Sequence, residues 1–568
     1  MSQQKSYNNK STHTLNDILK YHLDEKNTEA RMGKNQNELE IRFGTRNIKT
    51  INKISFDNVI RKLKSLGYYS NNELGTHLLK IQNEFEDPKT GEIKLSSIRT
   101  EVNGISNIED YCKHNSIEKI IEKNPYKTVV SFMSKTYARD EKNNVIYPIR
   151  KDDFNLKISY QKESQLYEKS NIVKKVIEKW SDSKKMFRYM NRITFIDGVN
   201  PIKIELSIVK TSGIDKNFKP LLAYNFDESN ILSNNEIYEI EIELINDQIG
   251  PDKLFNNIDE LEKKIKQSIT HVLSGLQSTN YPVSYIEQNE ITQDYLQLIG
   301  KEPTKKINSG DFCGPSSFTL QMKNIEPTNE SNNCPNIRNY YTVTDKADGE
   351  RKLMYISKTG KIYLITTNMD VEFTGVKAKD KEQFNSLLDG EHILHDKFGN
   401  YINLYAAFDI YFIKGKSVRD LSFVPLDSTE EKSKYRLPLL ISYINLLNFK
   451  EGKGIKIINK DFMLDVNGNN IFGCCKQILE KIENKMYIYN TDGLIFTPIE
   501  NGVGGNSKGK SSELKKVTWE YSFKWKPPEY NTIDFLVTTK KSENGEDEIG
   551  NMFVRSEEHT SELQSPMY

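Results

Sequence analysis

The chain has 568 residues, with 80 Lys plus Arg against 79 Asp plus Glu and 28% charged against 36% hydrophobic side chains, a balance that reads as a multidomain globular protein and excludes a wholly disordered one. Its longest strongly apolar stretch, Leu437 to Leu447, is interrupted by Ser442, Tyr443 and Asn445 and falls short of the roughly 20 residues a membrane-spanning helix needs. A net charge of +1 removes the argument that a globally basic protein binds nucleic acid, so any polyanion site has to be a local concentration of charge.

At the N-terminus, MSQQKSYNNK has no apolar core of the kind a secretory signal requires, which predicts a chain that stays inside a cell. The five cysteines (Cys112, Cys313, Cys334, Cys474 and Cys475) show no CxxC spacing, so thiols are expected rather than disulfides or a zinc site. Only 14 of the 80 basic residues are Arg. Because the guanidinium fork suits bidentate phosphate recognition, Arg42, Arg99, Arg188, Arg192 and Arg351 stand out.

Residues 1 to about 14 are polar, and Leu15 to Leu23 carries apolar residues at helical spacing. From Asn37 to Asn246 several segments alternate strictly between polar and apolar side chains, the period of a strand with two unlike faces. ELEIRFG (38–44) sets Glu38, Glu40 and Arg42 on one face and Leu39, Ile41 and Phe43 on the other. EIEIELI (239–245) sets Glu239, Glu241 and Glu243 against Ile240, Ile242 and Leu244. Between them FRYMNRITF aligns Arg188 and Arg192, NLKISYQKE offers Lys157, and PIKIELSIVK aligns Lys203, Glu205 and Ser207.

Carboxylates two residues apart on a strand repel unless the face is open to water or holds a cation. For one such strand, a salt-bridged solvent face is the plainer reading. Two glutamate ladders favour a closed barrel of about eight strands with acidic and basic walls, in which oxygen-only ligands suit Mg²⁺ or Mn²⁺. The candidate metal ligands are Glu38, Glu40, Glu239, Glu241 and Glu243; the candidate triphosphate ligands are Lys157, Arg188, Arg192 and Lys203.

Apolar positions from Leu254 to Val272 predict a helix over 252–275. Pro282, Pro303, Pro315, Pro327 and Pro335 then predict an irregular stretch. From Tyr340 to Pro528, strands such as KLMYIS, KIYLIT and YAAFDIYF mix with a helical pattern around Ser433 to Leu447, as an α/β nucleotide-handling domain requires. TIDFLV after Pro528 begins a further strand.

The sharpest local signal is KADGER (346–351), between the strand-like NYYTVT and KLMYIS. A lysine is a nucleophile only when neutral, which calls for cationic neighbours, a metal or desolvation. Asp348 or a metal could orient Lys346, Gly349 admits a close backbone approach, and Arg351 can grip a phosphate or ribose. Read alone, the segment could also be a surface turn with a salt bridge.

LDGEHI (388–393), FDI (408–410), TDGLIF (491–496) and FKWKPP (523–528) follow KADGER in order, and the set resembles the motifs of the covalent nucleotidyltransferases, namely mRNA capping guanylyltransferases and polynucleotide ligases. FKWKPP looks like the capping version. The paired ExE ladders resemble those of the triphosphate tunnel metalloenzymes, in particular metal-dependent RNA 5′-triphosphatases. RTEVNGISNIEDYCK (99–113) looks like a segment of their viral members, which nominates Arg99 as a phosphate ligand. As a whole the chain resembles the mRNA capping enzymes of large nucleocytoplasmic DNA viruses.

That resemblance implies an α+β protein with an N-terminal antiparallel β-barrel tunnel domain, an α/β nucleotidyltransferase domain and the start of a truncated OB-fold. The expected division is a polar tail at 1–20, the triphosphatase tunnel at 21–275, a linker at 276–339, the guanylyltransferase at 340–530, the beginning of an OB-fold lid at 531–554, and a tail at 555–568 that resembles translated sequencing-adaptor sequence. Lys346 would take GMP from GTP as a lysyl phosphoramidate, with Arg351 and Glu391 at the ribose, Phe408 stacked on the base, Asp492 on a metal or the lysine, and Lys524 and Lys526 facing the phosphates. Read singly, Phe408 could be an ordinary core aromatic. The expected partners are 5′-triphosphate RNA and GTP, with Mg²⁺ or Mn²⁺ as cofactor, no membrane, and a methyltransferase as a separate or missing C-terminal part. The expected location is intracellular, in a host cytoplasmic viral factory or the virion. Two alternatives stay open: an ATP-dependent polynucleotide ligase, and an inactive phosphate-binding module.

Overall fold

The computed structural model describes residues 13–24, 35–45, 49–87, 90–217, 219–303, 307–327, 334–427, 429–448, 454–464 and 470–531, with two short pieces at 540–541 and 547–548. The TIDFLV strand and the 555–568 tail lie outside the described residues, as does most of 531–554.

The first half is built on eight strands: β1 (Asn35–Phe43), β2 (Thr76–Glu86), β3 (Ile98–Asn103), β4 (Val130–Tyr137), β5 (Leu156–Leu166), β6 (Lys185–Ile196), β7 (Ile202–Thr211) and β8 (Ile237–Leu244). They pair antiparallel in the order β1–β8–β7–β6–β2–β3–β4–β5, and β5 pairs back onto β1, so the sheet closes on itself. Closure removes the sheet edges. The alternation of each strand then sends every second side chain into the lumen.

The outward face of this barrel is the apolar one. Leu39, Ile41, Ile204, Leu206, Ile240 and Ile242 are buried beneath three helices, α1 (Leu15–Leu23), α2 (Lys53–Ser65) and α3 (Ile258–Leu276). On another side Leu79, Ile81, Val102, Phe132 and Phe187 are covered by short helices at Ile105–His114, Ile117–Lys123 and Asn171–Glu178. The hydrophobic free energy of folding therefore comes from helix-on-barrel contacts, which leaves the lumen free to be polar. Helix α3 begins at Ile258 because Asn257 caps it, accepting from the Glu260 amide; the predicted start at 252 is too early, since Phe255 instead bridges to Ile249. Gly275 is required where α3 crosses α2, because a Cβ there would lie 2.6 Å from the Val59 Cα.

The irregular stretch expected after α3 contains a 14-residue helix, α4 (Tyr285–Leu298), capped by Ser284. Its apolar residues do not form a clean stripe, so periodicity gave no signal. Pro282 and Pro303 bound it rather than break it.

Two further sheets follow. A five-stranded sheet runs β9 (Ser316–Thr319), β18 (Thr518–Trp525), β17 (Thr491–Pro498), β10 (Tyr341–Ala347) and the short strand Met463–Leu464. A seven-stranded sheet runs β13 (Val371–Lys377), β12 (Lys361–Thr366), β11 (Glu350–Ile356), β14 (Ser386–His395), β15 (Tyr401–Ile413) and Lys416–Ser417, with β16 (Lys456–Asn459) added parallel to β15. Helix α5 (Arg436–Leu446) packs on β15 and α6 (Ile471–Glu483) on β10. The chain passes from one sheet to the other at 347–350, so the KADGER segment joins them. Among the described residues no helix is long and apolar enough to cross a membrane.

Candidate functional site

The barrel lumen holds a cavity of about 330 Å³ walled by charged side chains and three methionines, Met133, Met186 and Met190. Its acids come chiefly from β1 and β8, and the register of these strands with β7 sets Glu40 opposite Glu243, Arg42 opposite Glu241, and Glu241 opposite Glu205. Two groups of carboxylates converge: Glu38, Glu40 and Glu243, and Glu205, Glu241 and Glu243, the ligand oxygens of each group lying within 4.8 Å of one another. Cations interleave them. Lys135 Nζ donates to Glu38 at 2.5 Å and Glu40 at 2.8 Å; Lys203 Nζ lies 2.8 Å from Glu205 and 2.7 Å from Glu243. Arg192 bonds Glu241 at 3.1 Å and also reaches Glu205, while Arg42 grips Glu241.

These contacts set the protonation. Burial would raise the Glu241 carboxyl, but Arg42 and Arg192 outweigh it and hold the group well below the usual range. Glu243 goes the other way, pushed up by burial and by the neighbouring Glu205 against the pull of Lys203. An all-oxygen donor set with one carboxylate shared between two groups fits a hard divalent cation such as Mg²⁺ or Mn²⁺.

Of the residues expected to bind triphosphate, Arg99, Arg188, Arg192 and Lys203 line the cavity. Lys157 faces Arg42 in register and feels Glu40, but is not part of that wall. Glu239 belongs to neither carboxylate group; it is bound by Arg188 and lies 3.9 Å from Arg42. Glu205 replaces it. The sequence reading also passed over Lys80, Glu101, Lys135 and Glu163, which sit on β2, β3, β4 and β5. Arg99 bridges Glu101 at 2.7 Å and Glu163 at 3.0 Å. The alternation in SFMSKTY and THLLKIQ carries the signal for Lys135 and Lys80, but a single charge per strand is faint beside a ladder of three.

The second cavity, about 270 Å³, lies between the two later sheets. Lys346, near the end of β10, lines it together with Arg351 from β11, Glu391 from β14, Phe408 from β15 and Lys524 from β18. Gly349 lets the turn close on β14, since a Cβ there would lie 2.8 Å from Glu391 Cγ. Lys346 Nζ donates to Asp492 at 2.7 and 3.0 Å. Lys526, one residue past the end of β18, reaches the same carboxylate at 2.7 Å.

Residues 283–528 match the family model of the mRNA capping enzyme catalytic domain. This part of the chain is thus similar to an mRNA capping enzyme catalytic domain. A probable mRNA-capping enzyme of Acanthamoeba polyphaga mimivirus is 27% identical over 402 residues, covering 64% of this chain and 30% of the relative. An mRNA-capping enzyme of African swine fever virus is 26% identical over 378 residues, covering 63% and 37%. The chain thus spans about a third of the length of these relatives. A solved mimivirus capping enzyme triphosphatase overlaps 46% of this chain and 98% of its own, at 18% identity and a TM-score of 0.29.

Within the capping-enzyme domain the charges are distributed unlike those of the barrel. Arg351 is fixed by Asp389 (Nε to Oδ1, 3.0 Å) and by the Pro315 carbonyl at 2.7 Å, with its guanidinium 5.5 Å from the Phe408 ring centre and 5.7 Å from that of Phe312. Burial would raise the Asp492 carboxyl, yet the hydrogen bonds from Lys346 and Lys526 hold it below its ordinary value. Glu391 is pushed up to about 7 by burial, which the cations Lys460, Arg351 and Lys346 only partly offset. Asp348 is exposed and outside the cavity; its backbone amide, bonded to the Asn490 carbonyl at 2.8 Å, ties the turn to the chain just before β17. Sequence reading also missed Lys460, which lines the cavity and bridges the buried Asp345 at 3.0 Å.

Proposed function

We propose that the chain modifies RNA 5′ ends in two consecutive steps, removing the γ-phosphate in the barrel and then transferring GMP from GTP to the diphosphate end through Lys346. The reading rests above all on Lys346. Its amine borders a nucleotide-sized cavity in a capping-enzyme domain, held by a carboxylate that two lysines share.

In the barrel, Arg99, Arg188, Arg192 and Lys203 would grip the triphosphate while the two carboxylate groups hold Mg²⁺ or Mn²⁺. A divalent cation bound there would neutralise phosphate charge and lower the pKa of a bound water. Water attacks the γ-phosphorus, the bond to the β-phosphate oxygen breaks, and inorganic phosphate leaves. In the second domain, GTP would place its ribose toward Arg351 and Glu391 and its base against Phe408. The neutral Lys346 amine attacks the α-phosphorus; the bond to the β-phosphate breaks, pyrophosphate departs and the nitrogen loses its proton. Asp492 orients the amine, and Lys524 and Lys526 offset the negative charge developing on the phosphates. A β-phosphate oxygen of the RNA end then attacks the same phosphorus and the N–P bond breaks, giving GpppRNA and restoring the lysine.

Incubation with α-labelled GTP and, separately, α-labelled ATP tests the transfer half: a labelled adduct on Lys346 is expected with GTP, and an adduct formed only with ATP would mean a ligase. Metal-dependent phosphate release from γ-labelled triphosphate RNA tests the first half.

A further inference from the structure

A third cavity, about 660 Å³, lies where α2 and the C-terminal end of α3 meet β12 to β15. It shares no lining residue with the two cavities above. Its size is within the roughly 300–1,000 Å³ of small-ligand clefts. Two cations stand on its α2 side. Arg61 donates to Asn58 Oδ1 at 2.7 Å and Lys62 to Asn280 Oδ1 at 2.5 Å, and amide oxygens carry no charge that would neutralise them. The acid in the lining, Glu372, is taken up by Lys352 at 2.7 Å and is pushed up to about 7 by burial. The cavity is therefore electropositive.

Its other walls are aromatic. Tyr281 and Phe373 meet edge to face with ring centres 6.4 Å apart, and Tyr401 meets His395 at 6.0 Å. His392 also lines the cavity, 8% exposed. Its Nε2 pairs with Asn403 Oδ1 at 2.8 Å, and its Nδ1 is buried with no hydrogen-bond partner among the described residues. A buried polar atom left this way costs free energy unless something fills the role. Unneutralised cations beside aromatic rings are what a base and its phosphate require.

We propose that this junction cavity binds a ribonucleotide unit, with phosphate at Arg61 and Lys62, the base among Tyr281, Phe373 and Tyr401, and a polar edge of the ligand at His392 Nδ1. The unit can belong to an RNA strand or to a free nucleotide. The inference extends the RNA-handling reading above, placing a nucleotide contact outside both reaction sites.

Fluorescence anisotropy of a labelled 5′-hydroxyl oligoribonucleotide on the full chain tests it, because that RNA lacks the phosphates on which both reactions depend. Arg61→Ala combined with Lys62→Ala, and separately Tyr401→Ala, should each weaken binding by about tenfold. Tyr401 is 57% exposed, so its loss leaves the fold intact. Unlabelled GMP that displaces the RNA assigns the site to free nucleotides; RNA that GMP fails to displace assigns it to a strand. No binding by the wild-type chain to either probe, or the same affinity in the wild type and both variants, overturns the proposal. Phosphate release from triphosphate RNA, measured alongside, separates the two readings: its absence with the affinity differences intact counts against the proposed function alone, and its presence with unchanged affinities counts against the junction site alone.

Discussion

The barrel lumen and the capping-domain cavity both gather several cations, yet in different ways. The lumen interleaves acids and bases: Lys135 sits between Glu38 and Glu40, Lys203 between Glu205 and Glu243, and Arg99 between Glu101 and Glu163. No aromatic ring lines it among the described residues. The second cavity has fewer charges and five aromatic rings, Phe408, Tyr411, Phe423, Phe462 and Trp519. Charges without rings suit the end of a polyphosphate whatever nucleoside carries it, whereas rings give a base a surface to stack on.

The largest effect that would test this division is on Lys346. Lys346→Ala should reduce the GMP adduct to background and leave phosphate release from triphosphate RNA unchanged because the sites share no residue. Loss of both activities would merge the two regions into one functional unit. Next in size is Glu40→Gln, which keeps the shape but removes a charge that Lys135 and a cation would share. Phosphate release should fall by about a hundredfold or more, with the Mn²⁺ concentration for half-maximal rate raised and the adduct with GTP retained. An unaltered metal dependence would show that Glu40 is only a lysine partner.

How much of this was legible in the sequence follows the same contrast. The α+β class and the closed barrel were readable because β1 and β8 each carry three charged residues at a spacing of two, a pattern no helix produces. Helix α4 was not, because its apolar residues follow no single face and its flanking prolines looked like breakers. In the barrel the missed cations Lys80 and Lys135 each stand alone on a strand, and only the pairing of β2, β3 and β4 brings them to one cavity with Arg99. Lys460 was hidden for the same reason: it follows β16, which joins the sheet by a parallel pairing far from KADGER in sequence. Asp348 shows the converse, a residue inside the sharpest motif that the fold turns outward.

The capping domain also contains a buried ion pair that ties α5 to β15. Arg436 is fully buried on α5, with Nε 2.9 Å from the buried Asp409 and further bonds to the Leu421 and Asn501 carbonyls. Arg436→Leu would strand the Asp409 carboxylate, so unfolding free energy should drop by about 3–5 kcal/mol. Chemical denaturation checks it. Barrel phosphate release that survives at temperatures where the variant has lost GMP transfer would sharpen the separation of the two regions.

The smallest expected effect concerns Glu391, the acid of the second cavity that burial raises to about 7. An acid whose folded pKa lies above its unfolded value binds its proton more tightly when folded. Its contribution to stability is therefore complete below about pH 4.3, the unfolded value, and is lost as pH rises toward 7. Glu391→Gln removes that loss. The variant should match the wild type near pH 4 and be more stable by about 1–3 kcal/mol at pH 8, after allowance for partial solvent screening. GTP transfer by the same variant should weaken if the ribose depends on this carboxylate. Parallel pH–stability curves for the two proteins would mean that Glu391 is ionised across the range, and the cavity would then resemble the barrel, with its acid neutralised by Lys460, Arg351 and Lys346 rather than by a proton.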